Sequence, residues 1–299
     1  MPPTVYSSPL PEVQLKLSSI FTFLLSDTGS HTIGGFPSNS PAFIDAASGT
    51  AISRVQLKQL ALTFGYGILN HPALRPPPTP LRSGDIVMIF SPNSLAWPVL
   101  LMGAIAAGLR ATLANSAYTA RELAHQWVNS GARVICVAQE LLPVVQEMFK
   151  EVGISAEEGR RRVVVIGHDL GWAKRSGLAT RKPSSTGLIQ WEELLSLGSL
   201  PHEEMFDGDR VNETAMICYS SGTTGKPKGV EVRTLPLSLN VFAHACPPDH
   251  PQKSHFGHPG HFRSIPRHCS RKRRFLGYPA FFPYLRCDRP SIRTLELEC

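Results

Sequence analysis

The chain has 299 residues, an apolar content of 42% and a formal charge of +7. That is enough for one large or two ordinary domains with a sizeable core. From Arg233 onward there are 11 Lys+Arg and 4 Asp+Glu, so the 30 basic and 23 acidic side chains of the whole chain leave 19 of each before that point. The excess charge lies wholly in the last segment, which excludes a nucleic-acid role for the body argued from its pI.

In chain order, Leu17 to Leu25 is a short apolar patch that follows Glu12 and one Lys16, without the basic leading stretch of a secretory signal. Pro72 to Pro80 is proline-dense and reads as a surface linker. Ile86 to Phe90 is a continuous apolar run after Gly84-Asp85, as in a strand buried on both faces. Asn93 or Ser94 is placed to cap the next helix, which tolerates Pro98 only in its first turn and stops at Gly108. The apolar run Leu95 to Leu109 is interrupted by Pro98, Gly103 and Gly108 and is too short for roughly 30 Å of hydrocarbon, so no transmembrane span is expected.

Thr119 and Glu122 form a capping box ahead of a helix with Leu123, Trp127 and Val128 on one stripe, ending near Gly131. His125 on that helix reads as a surface or core histidine, and Tyr118 and Trp127 as packing residues. Arg133 to Val137 is a strand, Leu141 to Val152 a helix ending at Gly153, and Val163 to Ile166 another strand. Gly171 to Gly187 is polar and basic and reads as an exposed loop; Trp191 to Leu195 is a short helix and Ala215 to Tyr219 a strand. Alternation at this spacing implies an α/β fold of parallel sheet layers flanked by helices, followed by an irregular or disordered C-terminal tail. Cys136 and Cys218 sit inside apolar strands with no neighbour to depress a thiol pKa, and indicate a reducing compartment without a disulfide framework.

After the last of these strands the sequence reads YSSGTTGKPKGVE, residues 219–231. A loop at the carboxyl end of a parallel strand is where open α/β sheets bind ligands. Gly222, Gly225 and Gly229 allow close backbone approach and positive φ, so amide N–H groups can form an anion nest. Ser220, Ser221, Thr223 and Thr224 add hydroxyls, Lys226 and Lys228 add charge, and Pro227 stiffens the exit. All of this suits a polyphosphate, yet the Walker A spacing cannot be laid on it.

SSGTTGKPKGVE resembles the phosphate-binding signature of the adenylate-forming, AMP-dependent synthetase/ligase superfamily. GDIVMIFSPNSLAWPVLLMGAIAAGLRATLANSAYTARELAHQWVNSGARVICV and AFIDAASGTAISRVQLKQLALTFGYGIL resemble the N-terminal part of its 4-coumarate-CoA ligase-like acyl-CoA synthetases. The likeness spans about residues 5 to 232; Ser116 departs from it, standing where such proteins carry proline. It implies ATP-dependent activation of a carboxylic acid to acyl-AMP, then a thioester with coenzyme A. Ser220, Ser221, Gly222, Thr223, Thr224 and Gly225 would hold the β- and γ-phosphates. Lys228 matches the family lysine, and Lys226 falls where the family varies. ATP, magnesium and coenzyme A are the implied cofactors, and an intracellular site, cytoplasmic or peroxisomal, the implied location.

No adenine, ribose, magnesium or coenzyme A motif of that family is found after the loop. The division is therefore set at residues 1–232, a partial N-terminal domain, and 233–299, a basic Pro/His/Arg-rich tail read as an out-of-frame or retained-intron translation. On this reading turnover is impaired, and the alternative is a non-catalytic protein that binds nucleotide or acts by association. His255, His258 and His261 with Cys246 and Cys269 fit no standard zinc spacing. Arg271-Lys272-Arg273-Arg274 reads as solvated charge, although a nucleic-acid binder would rest on it alone.

Overall fold

The computed structural model describes residues 18–75, 80–174, 187–220 and 226–234. The helices are α1 Ile20–Leu25, α2 Arg54–Asn70, α3 Ala96–Ala106, α4 Ala120–Ser130, α5 Leu142–Glu151, α6 Ala156–Arg161, α7 Gly171–Lys174 and α8 Trp191–Leu194. The short strands β1 Asp27–Gly29, β2 Thr32–Ile33 and β3 Phe36–Pro37 form one antiparallel sheet, and β4 Pro41–Ile44 pairs with β5 Ala51–Ser53. The main sheet comprises β6 Ile86–Phe90, β7 Arg110–Ala114, β8 Val134–Ala138, β9 Val163–Ile166, β10 Ile189–Gln190, β11 Thr214–Ser220 and β12 Lys228–Arg233. Its order is β10-β9-β8-β6-β7-β11-β12, parallel throughout except for the antiparallel β11–β12 pair.

The sheet is covered on both faces, as the apolar runs predict. Val87, Ile89, Val134, Cys136, Val164 and Ile166 pack in one core with α1, α2, α3 and α8. Met88, Phe90, Ile135, Val137, Val163 and Val165 pack in the other with α4 and α5. Alternation along each strand sends neighbouring side chains to opposite layers, so every position of such a strand must be apolar. The N-terminal apolar patch contributes α1, whose Ile20, Phe21 and Leu25 are buried in the first core.

Local signals set the helix ends. Thr119 and Glu122 form the capping box of α4, and Ser53 with Gln56 forms a second one on α2. Gly108, Gly131 and Gly153 close α3, α4 and α5 with φ of 74°, 71° and 74°. Ser116 sits inside a turn closed by Tyr118 N–H donating to Asn115 O. The second position of such a turn favours proline but accepts most residues, which accounts for serine there.

Several expectations need correction. Neither Asn93 nor Ser94 caps α3; its N-cap is Leu95, already αR, with no side-chain cap bond. The chain is turning before the helix starts, so the extended backbone a capping side chain needs is absent. Pro98 does lie in the first turn. Val128 is 66% exposed, because five residues after Leu123 places it roughly 140° round the helix. Pro72–Leu74 is a 3-10 turn that buries Leu74, and Gly171–Lys174 is helical with Trp172 buried edge-on against Trp191, centroids 4.6 Å apart. Neither stretch is therefore wholly exposed; residues 76–79 and 175–186 lie outside the described set, as do His255, His258, His261 and the Arg271 to Arg274 run.

Among the described residues no helix is long and apolar enough to cross a membrane. Burial pushes the Cys136 thiol up from 9.0 to about 12, and that of the half-buried Cys218 upward as well, so burial favours the neutral thiol at both.

Two predictions follow from this packing. A Cβ on Gly67 would lie 2.7 Å from Leu194 C, against backbone that cannot swing aside. Alanine gains about 1 kcal/mol of helix propensity there but overpacks α2 on α8 by about 1–3 kcal/mol or more, so Gly67→Ala should lower stability in urea unfolding. Because the folded Cys136 prefers its neutral form, its stabilising effect is complete below pH 9 and is lost as pH rises towards 12. Cys136→Ala should therefore flatten the alkaline fall in stability by about 2 kcal/mol at about pH 10.5, read by melts across pH.

Candidate functional site

β11 lies beside β7, with Met216, Ile217 and Cys218 opposite Ala111, Thr112 and Leu113. Its carboxyl end is Ser220, which is exposed. The chain returns as β12, pairing Ser220 with Lys228, Tyr219 with Gly229 and Cys218 with Val230. The sequence-predicted loop thus closes a hairpin at the carboxyl edge of the parallel sheet and does not lead into a helix.

Of the eight predicted site residues, Ser220 and Lys228 are brought together as a cross-strand pair at the hairpin mouth. Lys226 is exposed just ahead of that mouth, on the other side of Pro227. Ser221, Gly222, Thr223, Thr224 and Gly225 lie outside the described residues. Both lysines are exposed and neither forms an ion pair with a described residue. The nearest acid on β12, Glu231, instead accepts a 2.7 Å bond from Thr214 Oγ1 at the far end of the hairpin.

Gly229 has another role from the one its sequence context implies. Its φ is not in the left-handed region, and a Cβ there would meet Ile217 Cγ2 at 3.1 Å and Tyr219 Cζ at 3.2 Å. The missing side chain makes room for the Tyr219 ring, not for a ligand.

That ring is the first of several ties from the hairpin to α4. Tyr219 OH donates to Asn129 Oδ1 at 2.5 Å, and its pKa is raised by burial and then by the neighbouring Tyr118. His125 Nε2 lies 3.0 Å from Pro227 O. A carbonyl can only accept, so the ring nitrogen donates. The His125 ring also meets Tyr219 edge-on, with centroids 6.4 Å apart. Gln126, 1% exposed, donates to Thr112 Oγ1 (2.9 Å) and Leu113 O (3.1 Å), and Thr112 Oγ1 donates to Ile217 O (3.2 Å). Three polar residues of one helix thus bond into β7, β11 and the hairpin exit.

Sequence reasoning gave His125 only a surface or core role and did not single out Gln126 or Asn129. His125 and Asn129 are four apart and share one helix face, which marked a polar stripe beside the apolar one. Their partners lie 102 and 90 residues away, so nothing local named them.

Among the described residues no group of three or more His, Cys, Asp or Glu side chains is placed to hold a metal ion. The sequence model of the AMP-binding enzyme family matches residues 35–259. The chain belongs to that family.

Family relatives include the 4-coumarate–CoA ligase-like 6 of Oryza sativa subsp. japonica, 28% identical over 238 residues, which are 79% of this chain and 33% of that protein. The 4-coumarate-CoA ligase 1 of Narcissus pseudonarcissus is 28% identical over 193 residues, 64% of this chain and 30% of that protein. The chain therefore spans about a third of the length of these curated relatives. A solved anthranilate CoA ligase in complex with anthranoyl-AMP superposes with a TM-score of 0.54 at 19% identity, covering 76% of this chain and 37% of that one. At that identity the likeness is one of fold.

Tyr219→Phe should destabilise the hairpin by about 1–2 kcal/mol, because it leaves the Asn129 acceptor without its donor. Chemical denaturation measures the loss, and an equal loss in Asn129→Ala with no further loss in the double variant shows that the two act through one bond.

Proposed function

We propose that the mouth of the β11–β12 hairpin holds the β- and γ-phosphates of MgATP for an acid–CoA ligase. In that reaction a carboxylate oxygen attacks the α-phosphorus, the bond to the bridging oxygen breaks, and acyl-AMP and pyrophosphate result. The coenzyme A sulfur then displaces AMP to give the thioester. The observation that carries the reading is the exposed Ser220–Lys228 pair at the carboxyl edge of the sheet, with Lys226 beside it and the sequence SGTTG between. Family membership and the names of the relatives, 4-coumarate-CoA ligases among them, support it.

The lysines supply charge and the hydroxyls supply donors, so this part of the chain lowers the barrier by neutralising and positioning phosphates. Ser221, Gly222, Thr223, Thr224 and Gly225 complete the proposed cradle by their match to the signature. Magnesium enters with the nucleotide as part of the substrate. Coenzyme A is the acceptor of the second step, and no described residue is assigned to it. Because the chain spans about a third of its curated relatives, nucleotide binding and turnover are separate parts of the proposal.

Titration of the 299-residue protein with a fluorescent MgATP analogue tests the first part. Lys228→Met should weaken binding by about tenfold or more, the usual worth of a bond to a charged group, and Lys226→Met by less. Binding that is undetectable, or indifferent to both lysines, would refute the site. Pyrophosphate release with a panel of aryl and fatty acids tests the second: binding without release marks a nucleotide-holding protein, and release marks the ligase.

A further inference from the structure

We infer that His125 is a positioning residue for the phosphate site, holding the exit of the hairpin loop so that Lys226 and Lys228 face one ligand. The inference rests on the functional reading above and adds a residue to it. Pro227 has no N–H to give, and β12 begins only at Lys228, so the carbonyl is the one polar backbone group by which residue 227 can be held. His125 Nε2 takes it at 3.0 Å, from a helix 102 residues earlier in the chain. The two candidate lysines flank the residue so held.

The anchor is firm and the thing anchored is not. α4 is capped at both ends, by Thr119 with Glu122 and by Gly131, and its Trp127 packs edge-on against Phe149, centroids 5.4 Å apart. Among the described residues β12 is the last strand of the sheet, paired on one side only, with every residue but Val232 exposed. An edge strand with so little buried surface frays readily at its start. His125 ties that start to the rigid layer, which reduces the ordering a phosphate would otherwise have to impose on binding.

Three variants of the 299-residue chain separate donor, ring and reach. His125→Phe keeps a ring beside Tyr219 but has no donor. His125→Gln offers an amide N–H at about the reach of imidazole Nε2, and His125→Asn is too short for it. Amide hydrogen exchange of Lys226, Lys228 and Gly229 without nucleotide should rise about tenfold in Phe and Asn variants and stay near wild type in Gln, with β6–β8 unchanged in all. MgATP affinity should fall about fivefold to tenfold in the first two and be restored by Gln. Exchange in Phe and Asn equal to wild type overturns the inference, whether or not nucleotide binds. Raised exchange with unaltered MgATP affinity confines His125 to the fold and also overturns its role at the site. Wild-type protein that binds no MgATP overturns the functional reading instead, and is recognised by a normal exchange pattern. If the Phe variant fails to melt cooperatively, the Gln and Asn variants decide between the same outcomes.

Discussion

A parallel strand buried on both faces must send each successive side chain into one of two helix layers. β6 does this with Val87 and Ile89 on one side and Met88 and Phe90 on the other. The remaining organisation follows from it. The parallel strands can only be connected by crossings over the covered faces, and they therefore deliver their carboxyl ends to one edge. Whatever this protein does with a ligand, the loop after β11 arrives at that edge because β11 pairs in parallel with β7.

The centre and the β12 margin of the main sheet are built to different standards. Next to the centre, β8 is buried at all five positions, and its Cys136 is so far from water that the thiolate is excluded at neutral pH. At the margin, β12 is almost wholly exposed and reverses direction. Little apolar burial holds it, so polar bonds matter there in a way they do not at the centre. The ties from α4 supply them: Tyr219 to Asn129, His125 to Pro227, and the buried Gln126–Thr112–Ile217 chain. Each is a modest interaction taken alone, worth about 1 kcal/mol. Together they place a half-supported hairpin against a helix whose own position is set by core packing.

Glycine illustrates why a residue's role is decided by its surroundings. Gly225 and Gly229 look alike in a phosphate-loop signature. Gly229 has an ordinary backbone and gives its space to the Tyr219 ring, while Gly67, in no signature at all, is where α2 meets the backbone of α8. A signature identifies which residue types are required and leaves open whether ligand or protein uses the gap.

By itself the sequence determined the fold class, the strands β6, β8, β9 and β11 with the helices α3, α4, α5 and α8, the capping box at Thr119 and Glu122, and the loop as the candidate site, while β7, β10, α6 and α7 went unmarked. These follow from periodicity, caps and a long motif, all of which are local. Tertiary structure alone decided that β12 turns antiparallel, that Ser220 faces Lys228, that Val128 faces water, and that His125, Gln126 and Asn129 serve the hairpin. The reason is physical: a hydrogen bond to Pro227 or a ring lying across Gly229 joins residues whose separation in sequence carries no record of the contact, and only packing brings them within 3 Å or so of one another.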